Sequence, residues 1–153
     1  MSEKYDSKTD TLKHKNRVQQ LLAIGVAELV MRQCYHDDSK LVAPEKDIFD
    51  EMTPKLKDST YGSDEYKQFL KDMKPALDHH YKTNRHHPEH FKNGIEGMTL
   101  VDLLEMLCDW KAASERHTDG DILKSLEINK KRFNFSDELK QIFKNTIESF
   151  ELK

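Results

Sequence analysis

Apolar residues recur at helical spacing along most of this chain. Between Thr11 and about Cys34 the apolar positions repeat every three or four residues: Val18, Leu21, Leu22, Leu29 and Val30. This spacing predicts one helix, or two short helices broken near Gly25. The segment from His36 to Gly62 contains two prolines. It predicts a loop plus a short helix whose first turn contains Pro44.

The second half of the chain continues the helical pattern. After Ser63, a candidate N-cap, a seam runs through Tyr66, Phe69, Leu70, Met73, Leu77 and His80, and Pro75 should kink or restart that helix. Thr99, with Asp102 placed as in a capping box, predicts a helix from Leu100 to about His117. Two more helices are predicted after the break at Asp119-Gly120-Asp121. The first has the apolar positions Ile122, Leu126 and Phe133. The second begins after the N-cap Ser136 and has the apolar positions Leu139, Ile142, Phe143, Ile147 and Phe150.

No segment alternates with the strand period over five or more residues, so the predicted class is all-α. The length of 153 residues favours one core. We therefore expect a single compact helical domain over 11–153, preceded by a polar N-terminal segment at residues 1–10.

The net charge of −3 argues against duplex nucleic acid as a partner. The sequence shows neither an apolar stretch long enough to span a membrane nor an apolar leader. We therefore expect a cytoplasmic location and no membrane partner. Cys34 and Cys108 are interpreted as reduced core thiols.

Histidine is the unusual component, because six of the eight histidines lie at position 36 and between positions 79 and 90. His80 continues the apolar seam and should face the core, whereas His79 points elsewhere. Pro88 forces His87 out of helical geometry. A loop of histidines beside a buried histidine favours a metal or acid-base site over a satisfied core histidine.

The helix from Leu100 carries a narrow strip of carboxylates. Asp102, Glu105 and Asp109 lie within about 60° of one another on the helical wheel, with apolar residues on both flanks. Buried carboxylates are costly unless they are paired or bound to a cation. We therefore predict that all three face the interior with His80, while a solvated polar face remains the alternative.

His36-Asp37 stands where an apolar helix ends, and a histidine next to an aspartate can bind one or two cations. The pattern resembles that of the HD-domain superfamily of metal-dependent phosphohydrolases: an early histidine, a His-Asp doublet ending a helix, further histidines and a late aspartate. The matching residues are His14, His36, Asp37, Lys40, His79, His80 and Asp109. The stretch from His79 to Pro88 is also similar to the double-histidine stretch of the cyclic-dinucleotide phosphodiesterase branch, which ends in Gly-Tyr-Pro where this chain has His86-His87-Pro88. The whole chain also resembles a small uncharacterised family associated with phage and Gram-positive genomes, which implies no function.

The superfamily resemblance implies an HD-domain-like bundle that binds one or two divalent ions (Mn, Fe, Co, Ni, Zn or Mg). The core ligands would be His36, Asp37, His80 and Asp109, with Asp102 and Glu105 supporting them. His79 and His14 are conditional ligands. On one straight helix His14 and His36 would be about 33 Å apart, so His14 requires a turn near Gly25.

The implied reaction is hydrolysis of a small phosphate ester such as a nucleotide, by a metal-activated water. Asp37, Lys40 and His87 are the catalytic candidates, and Arg85, Asn129 and Arg132 the substrate-binding candidates, by position only. A buried hydrogen bond from the helix to a loop is an equally good explanation for Asn129. Two other classes stay open: a di-iron oxygenase of the same superfamily, and a non-catalytic, phage-type binding protein with a buried histidine and carboxylate network. A homodimer is one assembly that the sequence leaves open.

Overall fold

The computed structural model describes residues 5–58, 63–116 and 120–152, without the side chains of Leu56, Lys57 and Tyr66. The helices are α1 (Lys8–Tyr35), α2 (Glu45–Asp58), α3 (Asp64–Asp72), α4 (Lys74–Thr83), α5 (Leu100–Ser114), α6 (Ile122–Phe133) and α7 (Asp137–Ser149), with 3-10 turns at Asp38–Leu41, Pro88–His90 and Gly94–Gly97. The described ranges contain no strand, so the all-α prediction is confirmed. None of their helices is both long enough and apolar enough to cross a membrane.

The chain divides into two compact units, Met1–Tyr35 and His36–Lys153. The described part of the first unit is essentially α1, which has no buried residue and passes through Gly25 without a break. The turn that His14 would need near Gly25 is therefore absent. Because α1 already begins at Lys8, the helix starts inside the polar segment predicted for residues 1–10. A single domain over 11–153 stays a prediction.

Short-range signals set the helix ends in the second unit. α3 ends at Asp72 and α4 restarts at Lys74, with Pro75 in the first turn, as predicted. Thr99 and Asp102 form the predicted capping box at the start of α5, and Asp121 and Ser136 cap α6 and α7. The boundaries predicted at Gly62 and His117, and Asp119 of the predicted break, lie outside the described residues.

The apolar core of the second unit lies among α5, α6, α7 and the α6–α7 connection. Its buried members are Met106, Leu107, Trp110, Ile122, Leu126, Phe135, Phe143 and Ile147. Cys34 and Cys108 are both free thiols but are exposed, so their prediction as core residues is wrong. Cys108 lies about 150° around α5 from the face that carries Met106 and Trp110, which places its thiol away from the core.

Candidate metal centre

The His36-Asp37 doublet opens the second unit directly before the 3-10 turn Asp38–Leu41. Asp37 has a left-handed backbone, with φ 60° and ψ 12°, a conformation that aspartate tolerates better than most residues. The Lys40 amide donates to the Asp37 carbonyl, which closes the turn. The Lys40 ammonium also lies 2.6 Å from Asp37 Oδ2. Lys40 thus fixes both the backbone and one carboxylate oxygen of Asp37.

The side chains predicted as core ligands converge on Asp37. Nε2 of His80 and Nε2 of His86 each lie 3.4 Å from Asp37 Oδ1. Nε2 of His36 lies 3.7 Å from both Asp37 Oδ2 and Asp109 Oδ1. The fold therefore brings together the four predicted core ligands, which are up to 73 positions apart in sequence (109 − 36).

Two overlapping sets of side chains offer atoms within 4.8 Å of one another, as a metal ion would need: Asp37, His80, His86, His87, and His36, Asp37, His86, Asp109. Sequence reasoning did not select His86 as a ligand, and it placed His87 among catalytic groups. Both residues lie in the loop after α4, where no periodicity indicates direction. Their clustering with other histidines was the only available signal.

Two carboxylates hold the Nδ1 side of three of these imidazoles. Glu45 Oε2 accepts from His80 Nδ1 at 2.9 Å. Glu105 Oε1 accepts from His36 Nδ1 at 2.9 Å and lies 3.2 Å from His86 Nδ1. A carboxylate on Nδ1–H fixes the tautomer and turns the Nε2 lone pair toward a metal. All three Nε2 atoms face Asp37.

Glu45 is a functional residue that sequence reasoning missed. It occupies the first turn of α2, where an acidic residue is usually explained by the helix dipole, yet it is fully buried. Burial alone would raise its pKa, but hydrogen bonds with His79, Ser39 and His80 outweigh that effect and lower the pKa. Glu45 is thus a buried anion that orients His80.

The centre contains two buried polar atoms without a hydrogen-bond partner in the described part of the chain, Asp37 Oδ1 and His86 Nε2. They lie 3.4 Å apart. Leaving two such groups unsatisfied costs about 1–3 kcal/mol each. A cation held between an anionic oxygen and an imidazole nitrogen satisfies both atoms. The donor set therefore fits a divalent ion.

The electrostatics also suit metal binding, which needs charged carboxylates and neutral imidazoles. Burial lowers the pKa of His80, and lowers that of His87 to about 3. Burial would raise the pKa of Asp37 and of Asp109, but the neighbouring Lys40 and His36 respectively help to hold both values below the ordinary range. The nearby carboxylates of Asp109 and Glu105 raise the pKa of His36 to about 10. A metal entering beside His36 thus displaces a proton.

The three carboxylates predicted to face the interior have different surroundings. Asp102 is fully buried and accepts from Arg85 Nε at 3.2 Å and from Arg85 Nη2 at 3.0 Å. This pair ties the His86 loop to the start of α5, so Arg85 has a structural partner rather than the free guanidinium expected of a substrate-binding group. The side chains of Glu105 and Asp109 are 9% and 24% exposed and face the histidines.

The remaining candidates lie at the edge of the centre or outside it. His79 Nδ1 donates to Glu45 Oε1 at 2.7 Å, and His79 belongs to neither ligand set. Asn129 donates to the Ser125 carbonyl, and Arg132 pairs with Glu89 at 2.6 Å. His14 lies on α1, about 32 Å from Tyr35 by helical rise, and belongs to neither ligand set.

The centre has a closed side and an open side. The His80 and His86 side chains are 3% and 1% exposed, whereas those of His36, Asp37 and Asp109 are between 20% and 32% exposed. The open side leaves the Asp37 and Asp109 carboxylates partly accessible to solvent. An arrangement of this kind is typical of a reactive metal site rather than a closed structural one.

Comparison with known proteins adds a family but no activity. Residues 3–149 match the family described as "Family of unknown function (DUF5662)". The chain therefore belongs to this family. No curated protein and no solved structure matches it.

Proposed function

We propose that this member of DUF5662 is a divalent-metal-dependent phosphohydrolase with an HD-domain-like site, acting on a nucleotide or a similar small phosphate ester. The observation that carries the proposal is a facing pair of buried atoms, Asp37 Oδ1 and His86 Nε2, which lack a hydrogen bond to any described residue and lie among oriented histidines. A protein core packed for stability alone would have hydrogen-bonded these atoms or replaced them. The proposal keeps the cytoplasmic setting expected from the sequence.

Asp37 has the central role because it belongs to both ligand sets. One carboxylate that reaches two sets can be shared by two ions, and Lys40 prevents it from turning away. His80 and His86 are held by Glu45 and Glu105, so their Nε2 atoms are preorganised as ligands. His87, whose Nε2 lies 2.9 Å from that of His80, fits a metal ligand better than the catalytic role predicted from the sequence.

A bound divalent ion would supply a water of lowered pKa and would polarise a phosphoryl oxygen. The residues of this chain would then position the reacting groups. His36 and Asp109 face each other on the open side, where an incoming water would lie, and Asp109 can accept its proton through a hydrogen bond. The closed side, formed by His80 and His86, keeps bulk water from the ligands' inner faces.

A second candidate function is a di-iron oxygenase of the same superfamily. The two sets contain four imidazoles and two carboxylates in total, a nitrogen-rich composition that favours Fe, Co, Ni or Zn over Mg. Iron is therefore among the ions that the site would hold well. An iron pair with a visible absorption band and oxygen consumption, without phosphatase activity, would favour the oxygenase.

The test begins with metal analysis of untagged protein purified without chelator. The protein is then stripped and reloaded separately with manganese, cobalt, iron or zinc, and each form is assayed against a panel of nucleotides and other phosphate esters. We expect bound metal near one or two equivalents and phosphate release with at least one ion. Failure to retain any metal, together with no turnover by any reloaded form, would replace this proposal with the non-catalytic binding protein.

A further inference from the structure

A cleft of about 450 Å³ lies beside the metal centre, between α5 and α6. Two candidate ligands, His87 and Asp109, form part of its wall. A group bound at the metal would therefore lie next to this cleft. All its walls belong to the second unit, and its volume is within the range of small-molecule sites.

The cleft lining combines aromatic rings with groups that can form hydrogen bonds. Tyr81, Trp110 and Phe133 contribute rings, although Trp110 is largely buried and packs parallel to Phe133, within 3°. Ser125 and Asn129 of α6 contribute a hydroxyl and an amide. Aromatic rings next to amide and hydroxyl groups suit a flat, polar ring, which can pack on the first and form hydrogen bonds along its edge with the second.

The rim of the cleft carries two cations. Arg132 is already paired with Glu89, but Lys124 has no ion pair with any other residue in the described ranges. Such a cation is available for a negatively charged ligand. The cleft therefore offers aromatic rings, polar groups and, among the described residues, one cation without an ion pair.

We propose, resting on the function proposed above, that this cleft binds the leaving group of the substrate and selects phosphate monoesters that carry a heteroaromatic ring. Nucleoside monophosphates are that class. Sugar phosphates of equal charge would reach the metal but leave the aromatic wall and the α6 amide without contacts. The difference between the two classes is the base, not the phosphate.

Trp110 provides a direct readout because it is the single tryptophan of the chain and lines the cleft. Metal-reloaded protein is titrated with AMP, GMP, CMP and UMP, and with ribose 5-phosphate, while Trp110 fluorescence is followed. We expect saturable changes with at least one nucleotide, and a dissociation constant at least tenfold weaker for ribose 5-phosphate. Equal affinity for ribose 5-phosphate and every nucleotide would overturn the inference.

Two neighbouring alanines of α5 give a matched pair of variants. Ala113 lines the cleft, whereas Ala112 is exposed and outside it. Ala113→Phe should fill the cleft and weaken nucleotide binding at least tenfold, while Ala112→Phe should leave it unchanged. If Ala113→Phe fails to fold by circular dichroism, Asn129→Ala tests the same wall. Unchanged nucleotide affinity in the folded cleft variant would overturn the inference.

Steady-state turnover separates this inference from the function on which it rests. If esters are hydrolysed but nucleotides and ribose 5-phosphate have the same kcat/KM, and Ala113→Phe changes neither, the cleft inference fails while the phosphohydrolase stands. If nucleotides bind and Ala113→Phe weakens them, but no ester is hydrolysed with any ion, the cleft stands as a nucleotide site and the phosphohydrolase fails.

Discussion

The second unit contains two interiors of opposite character, and α5 contributes to both. Met106, Leu107 and Trp110 face an apolar core, while Glu105 and Asp109 face the histidines around Asp37. Burial in the apolar core stabilises the fold by about 25 cal/mol per Å² of apolar surface removed from water, whichever apolar side chains are in contact. Burial around Asp37 destabilises the fold unless each polar group has a hydrogen bond or an opposite charge beside it.

Because the two interiors differ in this way, we expect the apolar one to determine the stability of the fold and the polar one to determine metal binding. The apolar interior should hold the helices together with or without an ion. The polar interior should depend on the ion, because two of its atoms have no hydrogen-bond partner among the described residues. Variants in the two interiors should accordingly respond differently to metal.

The largest effect is expected for Asp37→Asn. The change nearly preserves shape but removes the charge that belongs to both ligand sets, so turnover should fall by at least about a thousandfold, while circular dichroism stays helical. The measurement is phosphate release by stripped and reloaded protein. The neighbouring exposed residue provides the control, because Asp38→Asn should keep wild-type activity. Equal activity of Asp37→Asn and wild type would contradict the site.

In the apolar interior, Leu126→Ala should lower the free energy of unfolding by about 2–5 kcal/mol, because Leu126 is fully buried. The loss should be equal in chelator and in saturating metal. Urea unfolding under both conditions measures it. Leu123→Ala, at a position 38% exposed on the same helix, should cost much less. A loss that depended on metal would show that the two interiors are coupled.

In the polar interior, metal itself should stabilise the protein, by about 2.7 kcal/mol at a free concentration one hundred times the dissociation constant. Asp109→Ala should abolish this increment by removing a ligand. Glu115→Ala, on an exposed side of the same region, should retain it. Thermal unfolding with and without metal provides the comparison, and a metal-induced shift in Asp109→Ala equal to that of wild type would exclude Asp109 as a ligand.

A smaller effect is expected for Glu105→Gln. The charge that holds Nδ1 of both His36 and His86 is removed, but every ligand atom remains. Metal affinity should weaken about 10–100-fold, as is common when such partners are changed. Calorimetric titration with zinc or manganese measures the affinity, with Glu115→Gln as the control. Unchanged affinity would mean that Glu105 does not orient these imidazoles.

The sequence predicted those features that depend on short-range patterns. Periodicity and capping identified the helical class, the restart at Pro75 and the capping box at Thr99. Two of the proposed ligands, His80 and Asp109, were found because each sits at a recognisable place on a helical wheel. His36-Asp37 was found because a doublet at the end of a helix is visible without a structure.

The missed features depend on the path of the chain between helices. His86 is buried at the centre because Arg85 is tied to Asp102, a contact across 17 positions that no local pattern indicates. Glu45 was overlooked because an acidic residue in a first turn has an ordinary explanation. The uncertainty about Gly25 arose because glycine tolerates both a helix and a turn, and here the helix continues.

At position 37, the residue that the proposed activity requires is not the residue that fits the left-handed backbone with the least strain. A φ of 60° costs an ordinary L-residue about 1–2 kcal/mol, aspartate somewhat less and glycine almost nothing. Asp37→Gly should therefore relieve up to about 1 kcal/mol of backbone strain in the absence of metal, offset by the loss of the carboxylate's ion pair with Lys40, while being inactive. Among variants selected only for heat stability, position 37 should be one of the first to change. The residue with the least backbone strain there is not the residue that the proposed activity requires.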